Sequence, residues 1–377
     1  MEKHKIKICW ICYSLGAHGG VVKRLELWAK YFDTEKFEIR FIFSSTEPEV
    51  IISRFEKYDI KLVHMKELIT KDFFYLPAIY ALRKKVIKEH YDVIISMFTV
   101  TDVIMTLVYN FFKNPPILIS YVAGPSVSIG KFANLKQLIY KIILKKLNNK
   151  FTAFITVSDF DKHKIALDYK IPLSKIHVNR IGIDFDQFHV SKKRNLTFNT
   201  TFGFAGRFSQ EKGIEYLIEA FYMLHKKYRN IRLLLAGDGP IFKKIKDKAL
   251  KLELKDNIKF YGWINNISQF LNKIDILILP SLSEGTPRII LEAYYHEVPV
   301  IVTNVGGVSE IVKNGETGFL VEPKNILELK EKMEIFLRKP FLIKEFGLKA
   351  KVYVTSFHDI EREIRNLEKL LLEYIKK

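Results

Sequence analysis

The stretch "SEGTPRIILE", Ser283 to Glu292, sets two carboxylates, Glu284 and Glu292, eight positions apart around a Gly-Thr-Pro turn. The apolar run "DILILPSL" (Asp275 to Leu282) precedes it and "AYYHEVPVIV" follows, so a strand is expected to turn into a helix here. Thr286 can N-cap that helix and Pro287 suits its first position. Helical side chains lean back toward the N-terminus, so Glu292 can reach over the helix start, while Glu284 lies at the strand's carboxyl end. Free backbone N–H groups of the first turn lie between the two acids. The constellation offers donors for phosphate and acceptors for hydroxyls, which is what a sugar nucleotide presents; two ordinary surface glutamates are the plain alternative. A second stretch, "GRFSQEKG", holds Arg207 and Lys212 where another strand gives way to a helix. A helix N-terminus carries roughly half a positive charge. With two cations added it makes a site for a diphosphate, a solvated basic loop being the alternative.

The elements that must carry these residues alternate between apolar strands and helical stretches, the pattern of a parallel sheet with crossover helices. The first half offers "KIKICWICYS", "FEIRFIFSS", "KLVHM", "DVIISMF", "PILISYV", "AFITVS" and "IHVNRIG"; the second offers "TFGFAGRF", "IRLLLAGDG", "IKFYGW", "DILILPS", "PVIVTN" and "GFLV". Each half opens with a strand, a loop of glycine and basic residues, and a helix: "CYSLGAHGGVVKRLELW" and "GFAGRFSQEKGIEYLIEAF". The fold class is therefore α/β, two Rossmann-like domains facing across a cleft, with ligands beyond the carboxyl ends of the strands. Neither loop is a G-x-G-x-x-G or a Walker A, so no dinucleotide or P-loop claim follows. The polar stretch His189 to Thr200 is the best linker. It gives a first domain over 1–192, a second over 193–358, and a final helix, 359–377, as a candidate to pack back on the first domain.

These pieces resemble the group 1 (family 4) retaining glycosyltransferases of the GT-B fold. The resemblance rests on "GRFSQEKGIEYLIEAF", "LLLAGDGP", "FYGW", "DILILPSLSEGTPRIILEA" and "PVIVTNVGGVSEIVKNGETGFLVEP", in that order over most of 202–323. "GGVVKRLELW", "ITVSDFDKHKIA" and "IGIDFDQF" match more loosely in the first half. The resemblance implies that Glu284 faces the donor sugar, that Glu292 holds the ribose hydroxyls, and that Arg207 and Lys212 hold the diphosphate and stabilise the leaving group. Glu284, Arg207 and Lys212 are then the catalytic set. Gly206, Gly285, Thr286, Pro287 and Arg288 complete the donor site, and Gly19 and Gly20 approach the phosphates or the acceptor. It implies a UDP-sugar donor, a lipid-linked or saccharide acceptor, and no cofactor. Three departures leave the donor sugar unspecified. Ile181 stands where many members have asparagine, "SYVAGPSVSIG" has Tyr121 and no histidine, and "GTPR" replaces a Gly-Phe-Gly-like run.

Two D-x-D stretches, Asp159-Phe160-Asp161 and Asp184-Phe185-Asp186, imitate a metal site. The first follows Ser158 and reads as a helix cap with first-turn acids; the second reads as a strand-end turn. No metal is expected, because Arg207 and Lys212 would supply the charge neutralisation. The only cysteines, Cys9 and Cys12, lie three apart on a strand and point to opposite faces, so they read as core thiols rather than a redox pair. Residues 1–17 imitate a signal peptide but read as a first strand. Val93 to Phe112 imitates a membrane span, yet Asp102 in its middle would cost roughly 2.5–3.5 kcal/mol in a bilayer. Strand, loop and helix is the expectation there.

Lysine and arginine number 61 against 42 acids, a formal charge of +19, which implies an anionic partner. Val103 to Ser158 has no acid and seven lysines. Within it "KFANLKQLIYKIILKKLNNK" is of helix length, and Phe132, Leu135, Leu138, Ile139, Ile142 and Ile143 can share a face, with Lys145, Lys146 and Lys150 near the end. It reads either as a crossover helix or as a membrane-surface helix beside the acceptor site. The composition, rich in Lys, Ile, Asn and Phe, resembles that of an AT-rich bacterial genome. The enzyme is expected to be cytoplasmic, peripheral at the inner face of the cell membrane, on an anionic surface and without nucleic acid, since no aromatic-interleaved basic motif occurs. The alternatives are a sugar-nucleotide epimerase of the same architecture or a nucleic-acid-binding protein.

Overall fold

The structure, a computed structural model, describes residues 5–13, 15–16, 19–68, 76–97, 99–122, 133–191 and 200–376. It divides into two compact units, Met1–Arg180 with Ile360–Lys377, and Ile181–Asp359.

The first unit begins β1 (Ile6–Cys12), α1 (Gly20–Tyr31), β2 (Phe37–Phe43), α2 (Pro48–Phe55) and β3 (Lys61–His64). It continues α3 (Leu76–Lys88), β4 (Val93–Met97), α4 (Thr99–Val108), β5 (Ile117–Val122), α5 (Ala133–Leu147), β6 (Ala153–Thr156), α6 (Asp159–Tyr169) and β7 (Ile176–Val178). The seven strands are those read from the sequence. They pair in parallel in the order β3-β2-β1-β4-β5-β6-β7. Central strands are apolar along their length because helices cover both faces: every residue of "VIISM" is buried. Trp10 meets Trp28 of α1 at a centroid distance of 4.4 Å, whereas Cys9 and Ile11 join a core with Leu82, Ile104 and Leu144 from α3, α4 and α5. Cys9 and Cys12 are buried free thiols. The apolar run from Val93 is β4 followed by α4. Asp102 is buried there between the Ser96 and Ser120 hydroxyls, the latter 2.8 Å from Oδ2.

The second unit comprises β8 (Thr201–Ala205), α7 (Ile214–His225), β9 (Arg232–Ala236), α8 (Phe242–Lys251), β10 (Ile258–Gly262), α9 (Ile267–Leu271) and β11 (Ile276–Leu279). It ends with α10 (Arg288–Tyr295), β12 (Val300–Thr303), β13 (Gly318–Val321), α11 (Ile326–Arg338) and α12 (Phe341–Phe357). Its six parallel strands run β10-β9-β8-β11-β12-β13. The strand order reverses between β8 and β11, and at such a switch point the crevice beyond the strand ends is open to a ligand.

The division falls between Arg180 and Ile181, ahead of the polar stretch read as the linker; 192–199 of that stretch lie outside the described residues. The segment after Ile181 belongs with the second unit because His358 ties it down. Ile183 N–H donates to the His358 carbonyl over 2.8 Å, and His358 Nδ1 donates to the Ile181 carbonyl over 2.7 Å. The last helix, α13 (Ile360–Ile375), packs on α1 within the first unit. Glu363 Oε1 there accepts from Arg24 Nε (2.8 Å), Arg24 Nη2 (2.6 Å) and Trp28 Nε1 (3.1 Å).

Candidate active site

The second unit brings most of the predicted residues together at its switch point. After β8 the chain passes Gly206 and the exposed Arg207, then makes a short 3-10 turn, Gln210–Lys212. Gly213 ends that turn at φ +62°, and a Cβ on it would stand 2.0 Å from the Pro280 carbonyl oxygen. Only glycine allows this contact, and the contact brings Lys212 against the end of β11. Leu282 N–H donates to the Glu211 carbonyl over 2.7 Å and ties the same two loops together. Burial works to raise the Glu211 carboxyl, but the Ser209 hydroxyl and the charges of Lys212 and Arg207 hold it below its ordinary value.

Glu284 therefore meets Lys212 directly. The ammonium lies 2.7 Å from Glu284 Oε1, and the buried Ser281 hydroxyl donates to the same oxygen over 2.6 Å. Gly306, after β12, closes the loop from the other side. At φ +59° its missing Cβ leaves room for the Glu284 carbonyl, which would otherwise be 1.9 Å away, and Gly307 N–H donates to the Gly285 carbonyl over 3.1 Å.

Helix α10 starts one residue later than expected. Pro287, not Thr286, is its N-cap, and no side chain caps it. The Thr286 hydroxyl is buried without a hydrogen-bond partner. The reason is geometric: proline fixes φ near the helical value, but its ψ of 110° is extended, so the helix begins at Arg288. Arg288 Nε donates to Glu292 Oε1 over 2.9 Å within α10, and Arg288 Nη2 is buried with no partner. Two anion–cation pairs, Lys212–Glu284 and Arg288–Glu292, thus flank one helix start, with two orphaned polar atoms beside it.

Gly19 and Gly20 lie in the first unit at the start of α1, exposed, with nothing within 4 Å of a Cβ built on either. Gly19 is the N-cap at φ −172°, an extended conformation open to any residue. Both D-x-D stretches are local caps. Ser158 Oγ accepts from Asp161 N–H at 3.0 Å, Asp159 pairs with Arg180, and the Asp184 carboxylate accepts from Asp186 N–H at 3.1 Å and from Gln187 at 2.8 Å. Among the described residues, no group of three or more His, Cys, Asp or Glu is placed to hold a metal. A cavity of about 740 Å³ in the second unit lies at the opposite, amino ends of the strands, between Tyr228, Asp275 and Phe341, and holds none of the predicted residues.

Ser281 was not singled out from the sequence; Gly213, which ends the G-R-x(4)-K-G loop, and Gly306, first of the late Gly-Gly pair, matched the family pattern but were given no role. Ser281 stands three residues before Glu284, a spacing that could have drawn attention to it. The two glycines owe their importance to carbonyls far away in the chain.

Comparison with known proteins identifies the family and the fold. Residues 186–366 match the family model of glycosyl transferases group 1, and residues 18–187 match that of glycosyltransferase family 4. A capsular polysaccharide biosynthesis glycosyltransferase, CapM, of Staphylococcus aureus is 26% identical over 335 residues, 85% of this chain and 87% of the relative. An Escherichia coli UDP-Gal:alpha-D-GlcNAc-diphosphoundecaprenol alpha-1,3-galactosyltransferase is 26% identical over 309 residues, 78% of each chain. The solved structure of Anabaena Alr3699/HepE in complex with UDP and glucose superposes with a TM-score of 0.79 at 18% identity, covering 97% of this chain and 99% of that one. The chain belongs to the group 1 glycosyltransferases of the GT-B fold.

Proposed function

We propose that this glycosyltransferase is retaining and metal-independent, and moves a sugar from a nucleoside-diphosphate sugar, a UDP-sugar, to a lipid-linked or saccharide acceptor in bacterial surface polysaccharide or glycolipid synthesis. The observation that carries the reading is the Lys212–Glu284 pair at the β8/β11 switch point, 2.7 Å apart. It sets a cation for the diphosphate beside an acid for the sugar. Glu292, with Arg288, takes the ribose hydroxyls. Gly206 and the Gly285-Thr286-Pro287 turn line the phosphates, and the orphaned Thr286 hydroxyl and Arg288 Nη2 are partners for a ligand. Gly19 and Gly20 enter this reading through the family resemblance. The UDP and glucose held by the Anabaena protein and the lipid-diphosphate acceptor named for the E. coli relative support the choice of donor and acceptor.

In this mechanism the acceptor hydroxyl attacks the anomeric carbon from the leaving-group face. The new C–O bond forms as the bond to the diphosphate breaks, and the hydroxyl proton passes to a diphosphate oxygen. Arg207 and Lys212 offset the charge that develops on the leaving group, a type of contact worth roughly 10²–10³ in rate. The α5 face carrying Leu135, Leu138 and Ile142, exposed beside Lys145 and Lys146, would rest on the inner face of the cell membrane. Among the described residues no helix is long and apolar enough to cross a membrane.

The test is incubation with UDP-glucose, UDP-galactose and UDP-N-acetylglucosamine, with and without a GlcNAc-diphospho-polyprenol acceptor, in excess EDTA. The expected result is acceptor-dependent release of UDP and a product with the donor's anomeric configuration. Inverted product, loss of activity on chelation, or UDP release independent of acceptor would each overturn the corresponding part.

A further inference from the structure

We infer that Ser281 is a positioning residue that fixes Glu284 so that one carboxylate oxygen stays bound inside the site while the other faces the donor sugar; the inference rests on the reading of the site given above. Glu284 Oε1 accepts from both Lys212 Nζ (2.7 Å) and Ser281 Oγ (2.6 Å). A carboxylate has about four acceptor positions, two on each oxygen, so these two donors fill Oε1. Oε2 has no donor among the described residues. The side chain is only 9% exposed, so its orientation is decided by these two donors rather than by water.

Ser281 is itself rigidly held. It is 1% exposed, and its carbonyl accepts from the buried Thr303 hydroxyl of β12. On one side of it the Pro280 carbonyl rests against Gly213, and on the other Leu282 N–H is bound to the Glu211 carbonyl. The loop after β8 and the end of β12 therefore fix the backbone that aims the Ser281 hydroxyl. Side chains locked in this way hold a site to the tolerance that catalysis needs.

Removal of the hydroxyl leaves Lys212 as the single donor to Glu284. A carboxylate facing one ammonium can swing to present both oxygens to it. That movement takes Oε2 away from the sugar and draws the ammonium toward the acid. In the native arrangement one of the three N–H donors of Lys212 serves Glu284 and two remain for the diphosphate. Ser281 thus keeps Lys212 shared between the acid and the leaving group, although it touches neither substrate nor product.

The experiment measures donor kcat and KM, free-UDP affinity by calorimetry and thermal stability for Ser281→Ala, Ser281→Cys, Glu284→Ala and the Ser281→Ala/Glu284→Ala double variant. The donor is whichever of UDP-glucose, UDP-galactose and UDP-N-acetylglucosamine wild type turns over fastest. Ser281→Ala is expected to lower kcat about 10- to 100-fold, the usual size for a group that orients a site residue, with a loss of free-UDP affinity smaller than the loss in kcat, as the Lys212 ammonium is drawn toward Glu284 and away from the diphosphate. Ser281→Cys keeps the volume and should repeat the loss. In the Glu284→Ala background the serine substitution should cost nothing more, since residues acting through one another are not additive. Where that background is too slow to time, the same cycle is read from the ratio of donor to UDP affinity. A kcat within twofold of wild type in Ser281→Ala, or an undiminished loss without Glu284, overturns the inference while leaving the site reading intact. Failure of wild type to bind UDP and to use any of the three donors overturns the reading itself.

Discussion

Arg288 Nε lies 2.9 Å from Glu292 Oε1 one turn along α10, with the two side chains 12% and 7% exposed. The acid read as the ribose ligand is therefore held by a cation from its own helix before any nucleotide arrives. Ribose is the same in the ground and transition states, so its contacts act as uniform binding. Glu292→Ala should raise the donor KM and weaken free UDP by about tenfold or more, the scale of 1.4 kcal/mol, with a much smaller change in kcat. Arg288→Ala should weaken the same equilibrium by removing the cation that holds the acid in place. Calorimetric titration with UDP checks both; wild-type UDP affinity in Glu292→Ala removes the ribose role.

Arg207 and Lys212 differ in what surrounds them, and the difference is testable. Arg207 is exposed, whereas Lys212 is tied to Glu284. Each alanine variant should lower turnover by roughly 10²–10³ with little change in melting temperature. Only Lys212→Ala should couple to Glu284→Ala in a double-variant cycle, with a non-additivity on the order of 0.5–3 kcal/mol. Steady-state kinetics of the three single variants and the two doubles decide the matter. Near-normal turnover in both single variants would remove the diphosphate assignment.

The Arg24–Glu363 pair is the buried anchor of α13, with side chains 7% and 0% exposed. Removing one partner of such a pair strands a buried charge and costs about 3–5 kcal/mol, whereas an apolar replacement of both is often neutral. Arg24→Ala should therefore destabilise the protein strongly in denaturant unfolding. Arg24→Met/Glu363→Leu should recover most of the loss. A double variant as unstable as the single one would show that hydrogen bonds to Trp28 and the fit of α13 matter more than the charge balance.

Asp102 gives the first unit a pH signature. Burial pushes its carboxyl up to about 7, against the lowering effect of the Ser96 and Ser120 hydrogen bonds. The folded state then holds a proton that the unfolded state has released above the ordinary carboxylate range near pH 4. Stability falls with rising pH wherever the native state binds more protons. The Asp102 contribution is thus complete below about pH 4 and is lost as pH rises toward and through 7. Asp102→Asn should remove this downward trend, which has a limiting slope of about 1.4 kcal/mol per pH unit. Urea unfolding from pH 5 to 8 measures it, and parallel profiles for the two proteins would rule it out.

The strands were legible because burial on both faces leaves unbroken apolar runs such as "VIISM" and "ILIL", too short and too rich in β-branched residues to be buried helices. The acids were legible because strand-end turns carry them in order. What could not be read is what depends on distant chain. Gly213 and Gly306 matter through the Pro280 and Glu284 carbonyls, and no local pattern announces those partners. Lys212 and Glu284 could be assigned to separate jobs from sequence, but not to each other. Helix α5 was ambiguous for another reason. Its apolar residues run nearly all round, so period alone does not choose the inward face; Tyr140 and Leu144 are buried while Leu135, Leu138 and Ile142 face out. Phe132, grouped with them in the sequence reading, lies outside the described residues.

That outward face makes the membrane reading testable. α5 packs between α4 and α6, and Lys141 is held by Asp168 of α6, so Lys145 and Lys146 are the exposed cations of its last turn. Each lysine near an anionic leaflet contributes about 1 kcal/mol, falling off within a Debye length. Buried leucine and isoleucine add an apolar share that salt does not screen. Binding to vesicles should therefore have two separable parts. Lys145→Glu/Lys146→Glu should remove most of the salt-sensitive binding to phosphatidylglycerol vesicles. Leu138→Ser/Ile142→Ser should remove the remainder that survives high salt. Neither pair should change turnover of a short, water-soluble acceptor, because neither touches Lys212, Glu284 or the strand ends that hold them. Co-sedimentation with anionic and neutral vesicles at low and high salt reads both parts. Equal binding to the two vesicle types at low salt, or wild-type sedimentation in both variants, would leave α5 as a crossover helix with an exposed apolar edge and place the lipid contact elsewhere.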